Sequence, residues 1–223
     1  MQLAEATSPD TAGSGLVLVP VGSLEQHGAH LPLDTDTVVA TAVAAAAAEE
    51  LGAWVAPAVA YGSSGEHQSF SGTTSIGTDA LRHTLVELVR SLRTWADRVL
   101  LVNGHGGNVA ALVAAVEQLV AEGHEVSWVA CAEGSVDLHA GRSETSLMLH
   151  LSPWTVRLGR AEVGDTRALA EILPLMRAGG VGAVSGNGVL GDPTGANAAE
   201  GAATFDAMVR AVVRMAADVV SRR

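Results

Sequence analysis

The feature that most restricts the fold of this chain is a repeated unit: a short apolar run, a loop rich in glycine and histidine, and then a helical segment. The apolar runs lie at residues 16–20, 99–102 and 126–130. Runs of four or five apolar residues bounded by turn residues are typical of buried strands, and their alternation with helices predicts a parallel sheet. Hydrophobic residues make up 48% of the chain and aromatic residues only 3%. A core of alanine, valine and leucine suits helices packed closely on such a sheet, so the predicted fold class is α/β.

The remaining elements follow from periodicity and from helix-ending residues. Further strands are predicted at residues 54–60 and 181–184. Helices are predicted at residues 37–51, 78–97, 109–121, 144–151, 166–177 and 196–221. A chain of 223 residues is long enough for one ordinary domain, which we expect to span residues 15–223 after a flexible segment at residues 1–14.

Composition argues against several classes of function. The formal net charge of −11 disfavours broad attraction to nucleic acid or to anionic lipid. Cys131 is the only cysteine, so an intrachain disulfide is excluded, and a small buried side chain on a strand is its expected role. No run of about 18 apolar residues is present, and residues 1–14 do not read as a secretory signal. We therefore expect a soluble cytoplasmic protein with no membrane and no nucleic-acid partner.

Side chains able to bind metal cluster in the three loops that follow these strands. They are Glu25, His27, His30, Asp34, Asp36, His105, His139 and Glu144. The carboxyl ends of parallel strands face one crevice, so these loops can meet at one edge of the sheet. Nitrogen and oxygen ligands without thiolate suit zinc, iron(II) or manganese, and the set is large enough for two ions.

Several of these motifs together resemble the creatininase family of metal-dependent amidohydrolases. The motifs are residues 22–28, residues 30–32, Asp36, residues 103–105 and residues 139–146. The resemblance extends from about residue 16 to residue 201. It implies a three-layer α/β/α sandwich that assembles into a homo-oligomer and holds two divalent metal ions per subunit.

The resemblance also implies roles for individual residues. Four residues of this chain match the family's metal ligands: Glu25, His27, Asp36 and His105. Asp36 would bridge the two ions. The family's further glutamate ligand falls at Gly107, so Glu144 is our candidate replacement. His30 and Asp34 would then have supporting or structural roles.

His139 falls at the position of the family's catalytic histidine. It would pass a proton to the leaving amine or stabilise the tetrahedral oxyanion. Backbone amides of Gly106 and Gly107 are candidate substrate-binding groups, as are Glu66 and His67. Arg142 and Arg167 could bind a peptide carboxylate, although solvated surface arginines are the more common case.

Within the family, the chain is most similar to peptidases that remove a cross-linked C-terminal Val-Tyr dipeptide from a modified ribosomal precursor peptide. Ser135 stands where creatininase has a tryptophan over its substrate, which argues against creatinine itself. Two alternatives stay open: hydrolysis of a small cyclic amide or formamide by the same two ions, and a metal-binding protein without catalytic activity.

Overall fold

The computed structural model describes residues 1–132 and 137–220, with side chains described as far as Ala217. Its four strands are β1 (Ser14–Val21), β2 (Trp54–Val55), β3 (Ala96–Asn103) and β4 (Val126–Ala130). Its helices are α1 (Thr35–Leu51), α2 (Thr78–Leu92), α3 (Val109–Ala121), α4 (Arg142–Leu151), α5 (Leu169–Gly179) and α6 (Ala198–Val220).

The strands form one parallel sheet in the order β2-β1-β3-β4. β1 pairs with β3 from Ser14 to Val21, whereas it pairs with β2 at only two residues, Val17 and Leu18. The chain runs from β1 outward to β2 and then returns past β1 to β3. The carboxyl ends of β1 and β3 therefore lie at a topological switch point, where open parallel sheets bind ligands.

Helices cover both faces of the sheet. Alternate residues of a strand point to opposite faces, so each strand contributes to two separate cores. Leu16 and Leu18 of β1 belong to the core that includes α1, α4 and α6. Val17 and Val19 belong to a second core, formed with α2 and α3. The predicted three-layer α/β/α architecture is confirmed.

Two glycines let the first turn of α1 approach the ends of β1 and β3. A Cβ at Gly22 would collide with the backbone and side chain of Thr37, and a Cβ at Gly104 would collide with the Asp36 carbonyl. Any larger residue at either position would push α1 away from the sheet. The close approach brings Asp36 to the switch point.

Three predicted elements differ from the structure. The strand predicted at residues 54–60 is interrupted: its ladder covers only Trp54–Val55, and beyond Pro57, which cannot donate a ladder hydrogen bond, Val59 forms a single bridge with Val21. The helix predicted to reach residue 97 ends at Leu92, since Ala96 already pairs with Ser14 in the sheet. Residues 181–184 are not a strand: Val181–Ala183 is a 3-10 turn that follows Gly180, whose φ is 71°.

The first residues pack against the edge of the sheet. The Val55 amide donates to the Met1 carbonyl at 2.9 Å, and two 3-10 turns, Leu3–Glu5 and Ser8–Thr11, lead into β1. The division into a flexible segment at residues 1–14 and one domain at residues 15–223 stays a prediction. Across the described helices, none combines the length and apolar character needed to cross a bilayer.

Candidate metal centre

Residues far apart in the sequence converge beyond the carboxyl ends of β1 and β3. Glu25 and His27 lie in the loop after β1, Asp36 in the first turn of α1, and His105 directly after β3. All four are buried, with 0 to 5% of each residue exposed. Glu144, from the first turn of α4, lies 3.9 Å from His27 Nε2 through its Oε2, and 23% of its side chain is exposed. The predicted ligands are therefore brought together at the switch point.

The described residues contain three groups of three possible ligand atoms: one combines Glu25, His27 and His139, and the other two share Asp36. In each group the atoms lie within 4.8 Å of one another. We name Glu25, Asp36 and His105 the inner group, and His27, Asp36 and Glu144 the outer group. Asp36 Oδ2 lies 3.3 Å from His105 Nδ1, and Asp36 Oδ1 lies 3.1 Å from His27 Nε2. A carboxylate with one oxygen toward each group has the geometry of a bridging ligand.

Backbone carbonyls fix which imidazole nitrogen faces each group. His27 Nδ1 lies 3.1 Å from the Glu25 carbonyl oxygen, and His105 Nε2 lies 3.2 Å from the Ser63 carbonyl oxygen. A carbonyl only accepts, so these nitrogens carry the hydrogens. His27 Nε2 and His105 Nδ1, which face Asp36, are left to bind a metal. A second hydrogen bond of this kind commonly orients metal-binding histidines.

The imidazoles of His27 and His105 carry protons at the positions that a metal ion would occupy. Burial lowers the pKa of His27, but Asp36 in contact with it raises that pKa to about 10. Burial likewise lowers the pKa of His105, and its contacts with Asp36 and Glu25 raise it well above the usual value. Metal binding to such sites releases protons, so metal ions would compete with these two protons.

The carboxylates differ between the two groups. Burial and Asp36 raise the pKa of Glu25, but His105 and His67 beside it lower the pKa to about 2. Both Glu25 oxygens are buried and lack a hydrogen-bond partner among the described residues. Burial raises the pKa of Glu144 to about 7. An ionised buried carboxylate without hydrogen bonds is costly unless a cation neutralises it, so the site fits a divalent metal.

His139 lies against both groups and is 7% exposed. Its Nδ1 lies 3.8 Å from Glu25 Oε1 and 3.9 Å from Glu144 Oε2, and its ring lies 4.4 Å from the His27 ring. Burial, with the nearby His27 and His67, lowers the pKa of His139 well below its usual value. The imidazole is therefore neutral at pH 7, which leaves one of its ring nitrogens unprotonated.

The four predicted substrate-binding residues occupy different positions. Gly106 and Gly107 lie in the 3-10 turn Gly106–Asn108 that leads into α3. Glu66 Oε1 lies 3.5 Å from His105 Nε2, and a Cβ at Gly107 would collide with that same oxygen. His67 is only 4% exposed and its Nε2 lies 3.4 Å from Glu25 Oε1. His67 is thus buried in contact with the candidate ligand Glu25.

Residues with expected supporting roles lie beside the cluster. His30 is buried, and its Nε2 lies 2.9 Å from Thr145 Oγ1, next to Glu144 on α4. Asp34 is the exposed residue before α1. His30 therefore connects the loop after β1 to the helix that carries Glu144.

Two asparagines that the sequence did not single out hold the His105 loop. Asn108 Nδ2 donates to the Gly22 carbonyl at 2.9 Å, and its Oδ1 accepts from the Ser63 amide at 2.8 Å. Asn103 Nδ2 donates to the His105 carbonyl at 2.7 Å. The sequence signals were the motif at residues 103–105, which includes Asn103, and the position of Asn108 directly after residues 104–107.

The two arginines are both paired. Arg142 donates to Glu200, with Nε–Oε2 at 2.7 Å, and Arg167 donates to Asp165, with Nε–Oδ2 at 3.0 Å. Both arginines line a cavity of about 550 Å³ that borders Leu190. Ser135, which bears on the choice of substrate, lies outside the described residues.

This α/β/α sandwich, with a buried carboxylate–imidazole cluster at its switch point, has the architecture of a metal-dependent enzyme. The comparisons with known proteins identify its family. A family model described as creatininase, creatinine amidohydrolase, matches residues 2–216, so the chain belongs to the creatininase family. The resemblance inferred from the sequence motifs is confirmed.

Relatives and solved structures agree with this assignment. The "Mycofactocin precursor peptide peptidase" of Mycolicibacterium smegmatis is 56% identical over 200 residues, which are 87% of this chain and 81% of that protein. The protein of the same name from Mycobacterium tuberculosis strain H37Rv is 53% identical over 229 residues, covering 97% and 90%. The solved structure "Creatininase Mn" superposes with a TM-score of 0.81 at 27% identity and covers 97% of each chain.

Proposed function

We propose that this protein is a metal-dependent peptidase that releases the cross-linked C-terminal Val-Tyr dipeptide from the modified mycofactocin precursor peptide. The observation that carries the proposal is the position of Asp36, which turns one oxygen toward each of two ligand groups. Membership of a family of amide hydrolases supports the reaction class. The peptidase relatives, more than 50% identical, support the peptide substrate.

Two divalent ions, zinc, iron(II) or manganese, fit the donor set. Glu25, Asp36 and His105 would hold one ion, and His27, Asp36 and Glu144 the other. When bound, such ions polarise a carbonyl and lower the pKa of a water toward about 7. Manganese occurs in the name of one solved relative.

The remaining chemistry belongs to side chains of this chain. His139 is neutral and points Nδ1 toward both ligand groups, so it can take up a proton from the attacking water and return it to the leaving amine. The backbone at Gly106 and Gly107 lies next to His105, where amide groups could stabilise the oxyanion. Glu66 and the arginine-lined cavity are candidate contacts for the peptide.

Mass spectrometry of the cross-linked precursor, after incubation with zinc-, iron(II)- or manganese-loaded protein, tests the proposal. We expect a Val-Tyr-derived fragment and a precursor shortened by that mass. Creatinine and a small formamide serve as comparison substrates. Cleavage of either one without release of the fragment would favour the small-amide alternative. Metal binding without hydrolysis of any substrate would favour a non-catalytic protein.

We also propose that the protein is a cytoplasmic homo-oligomer. Five large apolar side chains are exposed between residues 153 and 179: Trp154, Leu158, Val163, Leu169 and Leu175. Trp154 is 79% exposed. Exposed apolar patches of this kind often mark subunit contacts. Light scattering after size-exclusion chromatography should give a multiple of the 22.6 kDa chain mass.

A further inference from the structure

Gln26 lies between two candidate ligands, Glu25 and His27, yet its side chain points away from the metal groups. The residue is 5% exposed. Its side chain and its backbone carbonyl contact three other parts of the chain: His67, His139 and Gly188. These contacts decide the protonation pattern of two imidazoles.

The backbone fixes which end of the Gln26 amide is oxygen. The Gly28 amide donates to Oε1 at 2.9 Å, and the Gly188 carbonyl lies 3.0 Å from Nε2. A backbone amide only donates and a backbone carbonyl only accepts. The reverse orientation would place two donors together at one end and two acceptors at the other.

The two hydrogens of Nε2 then have two acceptors. One goes to the Gly188 carbonyl, and the other goes to His67 Nδ1 at 2.8 Å. His67 Nδ1 must therefore be unprotonated. An imidazole whose Nδ1 is unprotonated carries its hydrogen on Nε2. That Nε2–H faces Glu25 Oε1 at 3.4 Å.

The backbone carbonyl of Gln26 fixes the second imidazole. His139 Nε2 lies 2.8 Å from this oxygen, so Nε2 carries a hydrogen. It cannot then accept from Gln26 Nε2, which lies 3.0 Å away. The unprotonated nitrogen of His139 is Nδ1, the atom that faces Glu25 and Glu144.

We propose that Gln26 is a positioning residue that sets the tautomers of both imidazoles. Through its carbonyl it makes His139 present an unprotonated Nδ1 to the reacting site. Through its amide it makes His67 turn its Nε2–H, rather than a bare nitrogen, toward Glu25 Oε1, 3.4 Å away. The inference rests on the proposed function only in taking His139 as the group that moves the proton.

The substitution Gln26→Glu tests the amide. A carboxylate keeps the shape and still accepts from the Gly28 amide, but it cannot donate to His67. We expect His67 to move its hydrogen to Nδ1, while His139 keeps its hydrogen on Nε2. Partners that orient metal ligands typically contribute about 10–100-fold, so kcat should fall by that factor with KM changed less than about twofold.

Thr73→Val is the matched control. The backbone nitrogen of Gln26 donates to Thr73 Oγ1 at 3.1 Å. Thr73→Val therefore removes a hydrogen bond to the same residue without changing the contacts of its side-chain amide. Nitrogen NMR of histidine-labelled, zinc-loaded protein reports each tautomer. We expect the wild type and Thr73→Val to show Nε2–H at both His67 and His139, and Thr73→Val to keep kcat within about threefold, as for one lost neutral hydrogen bond.

Three results would overturn the inference: an Nδ1–H tautomer at either histidine in the wild type, unchanged tautomers in Gln26→Glu, or equal loss of kcat in both variants. The wild-type spectrum decides the tautomers even if Gln26→Glu does not fold. If the wild type shows the expected tautomers but does not cleave the precursor, the proposed function fails and the tautomer assignment stands.

Discussion

The inner and outer groups share Asp36 but are built differently. The inner group takes its other ligands from the ends of two adjacent strands, β1 and β3, and both Glu25 and His105 are buried. The outer group takes Glu144 from α4, and that side chain is partly exposed. One group is set by the sheet itself, and the other depends on how a separate helix docks.

This difference predicts different behaviour toward metal. A ligand set fixed by strands needs little rearrangement on binding, whereas Glu144 must be held by the packing of α4 and must also lose its proton. We therefore expect the inner ion to bind more tightly and the outer ion to exchange more readily.

The largest effect is expected for Asp36→Asn, which changes the shared ligand. An amide cannot bridge two cations with two anionic oxygens, so both ions should be weakened together. Activity should fall by roughly 1,000-fold or more, because both ions contribute to catalysis; each tenfold loss corresponds to about 1.4 kcal/mol of transition-state stabilisation. Metal analysis should find less than one ion per chain. Asp34→Asn, two positions earlier and exposed, is the control; retention of two ions by Asp36→Asn would refute the bridge.

Glu144→Gln and Glu25→Gln separate the two groups. Glu144→Gln should weaken only the outer ion, by at least about 100-fold, since it removes a ligand rather than a supporting contact. Glu25→Gln should weaken the inner ion instead. Competition with a chromophoric chelator measures the two affinities. Loss of both ions in Glu144→Gln would show that the groups do not bind independently.

The two groups should also differ in how their metal affinity depends on pH. Below a pKa of about 7 Glu144 is protonated and cannot bind a cation, whereas Glu25, with a pKa of about 2, stays ionised. Each group must also displace an imidazole proton. Between pH 8 and pH 6 we therefore expect the outer affinity to fall more steeply, by one additional proton. Calorimetry in two buffers counts the released protons; equal counts for both ions would contradict the assignment.

The residues of the inner group were easier to predict from the sequence than the contacts that position them. Glu25 and His105 lie close to predicted strand ends, and strand order alone brings such loops together. The position of Asp36 depended on Gly22 and Gly104, whose role becomes visible only when α1 is packed on the sheet.

Other features were beyond sequence reasoning because they depend on tertiary contacts. Gln26 is a polar residue in a polar loop, and nothing in the loop shows that its carbonyl meets His139, 113 positions away. His67 was predicted to bind substrate, but its burial in contact with Glu25 becomes visible only in the packed structure. The strand predicted at residues 181–184 formed a 3-10 turn, since short apolar runs do not distinguish the two.

Gly107→Ala tests how tightly the inner group is packed. A Cβ at this position would collide with Glu66 Oε1, His105 Nε2 and the Ser63 carbonyl. We expect His105 to shift, with a loss of about 10-fold in inner affinity and about 1–3 kcal/mol in the free energy of unfolding. Gly106→Ala is the control, because a Cβ there meets no atom within 4 Å. Equal behaviour of the two variants would show that the inner group tolerates movement.

The smallest effect is expected for Thr145→Val, which tests the docking of α4. The variant removes the hydroxyl 2.9 Å from His30 Nε2 and leaves that buried imidazole nitrogen without its partner. The free energy of unfolding should fall by roughly 1–3 kcal/mol. Because Glu144 is the preceding residue on α4, the outer affinity should fall a few-fold, while the inner affinity, set by the strands, should not change. A larger loss at the inner group than at the outer group would overturn the distinction between a sheet-built site and a helix-built site.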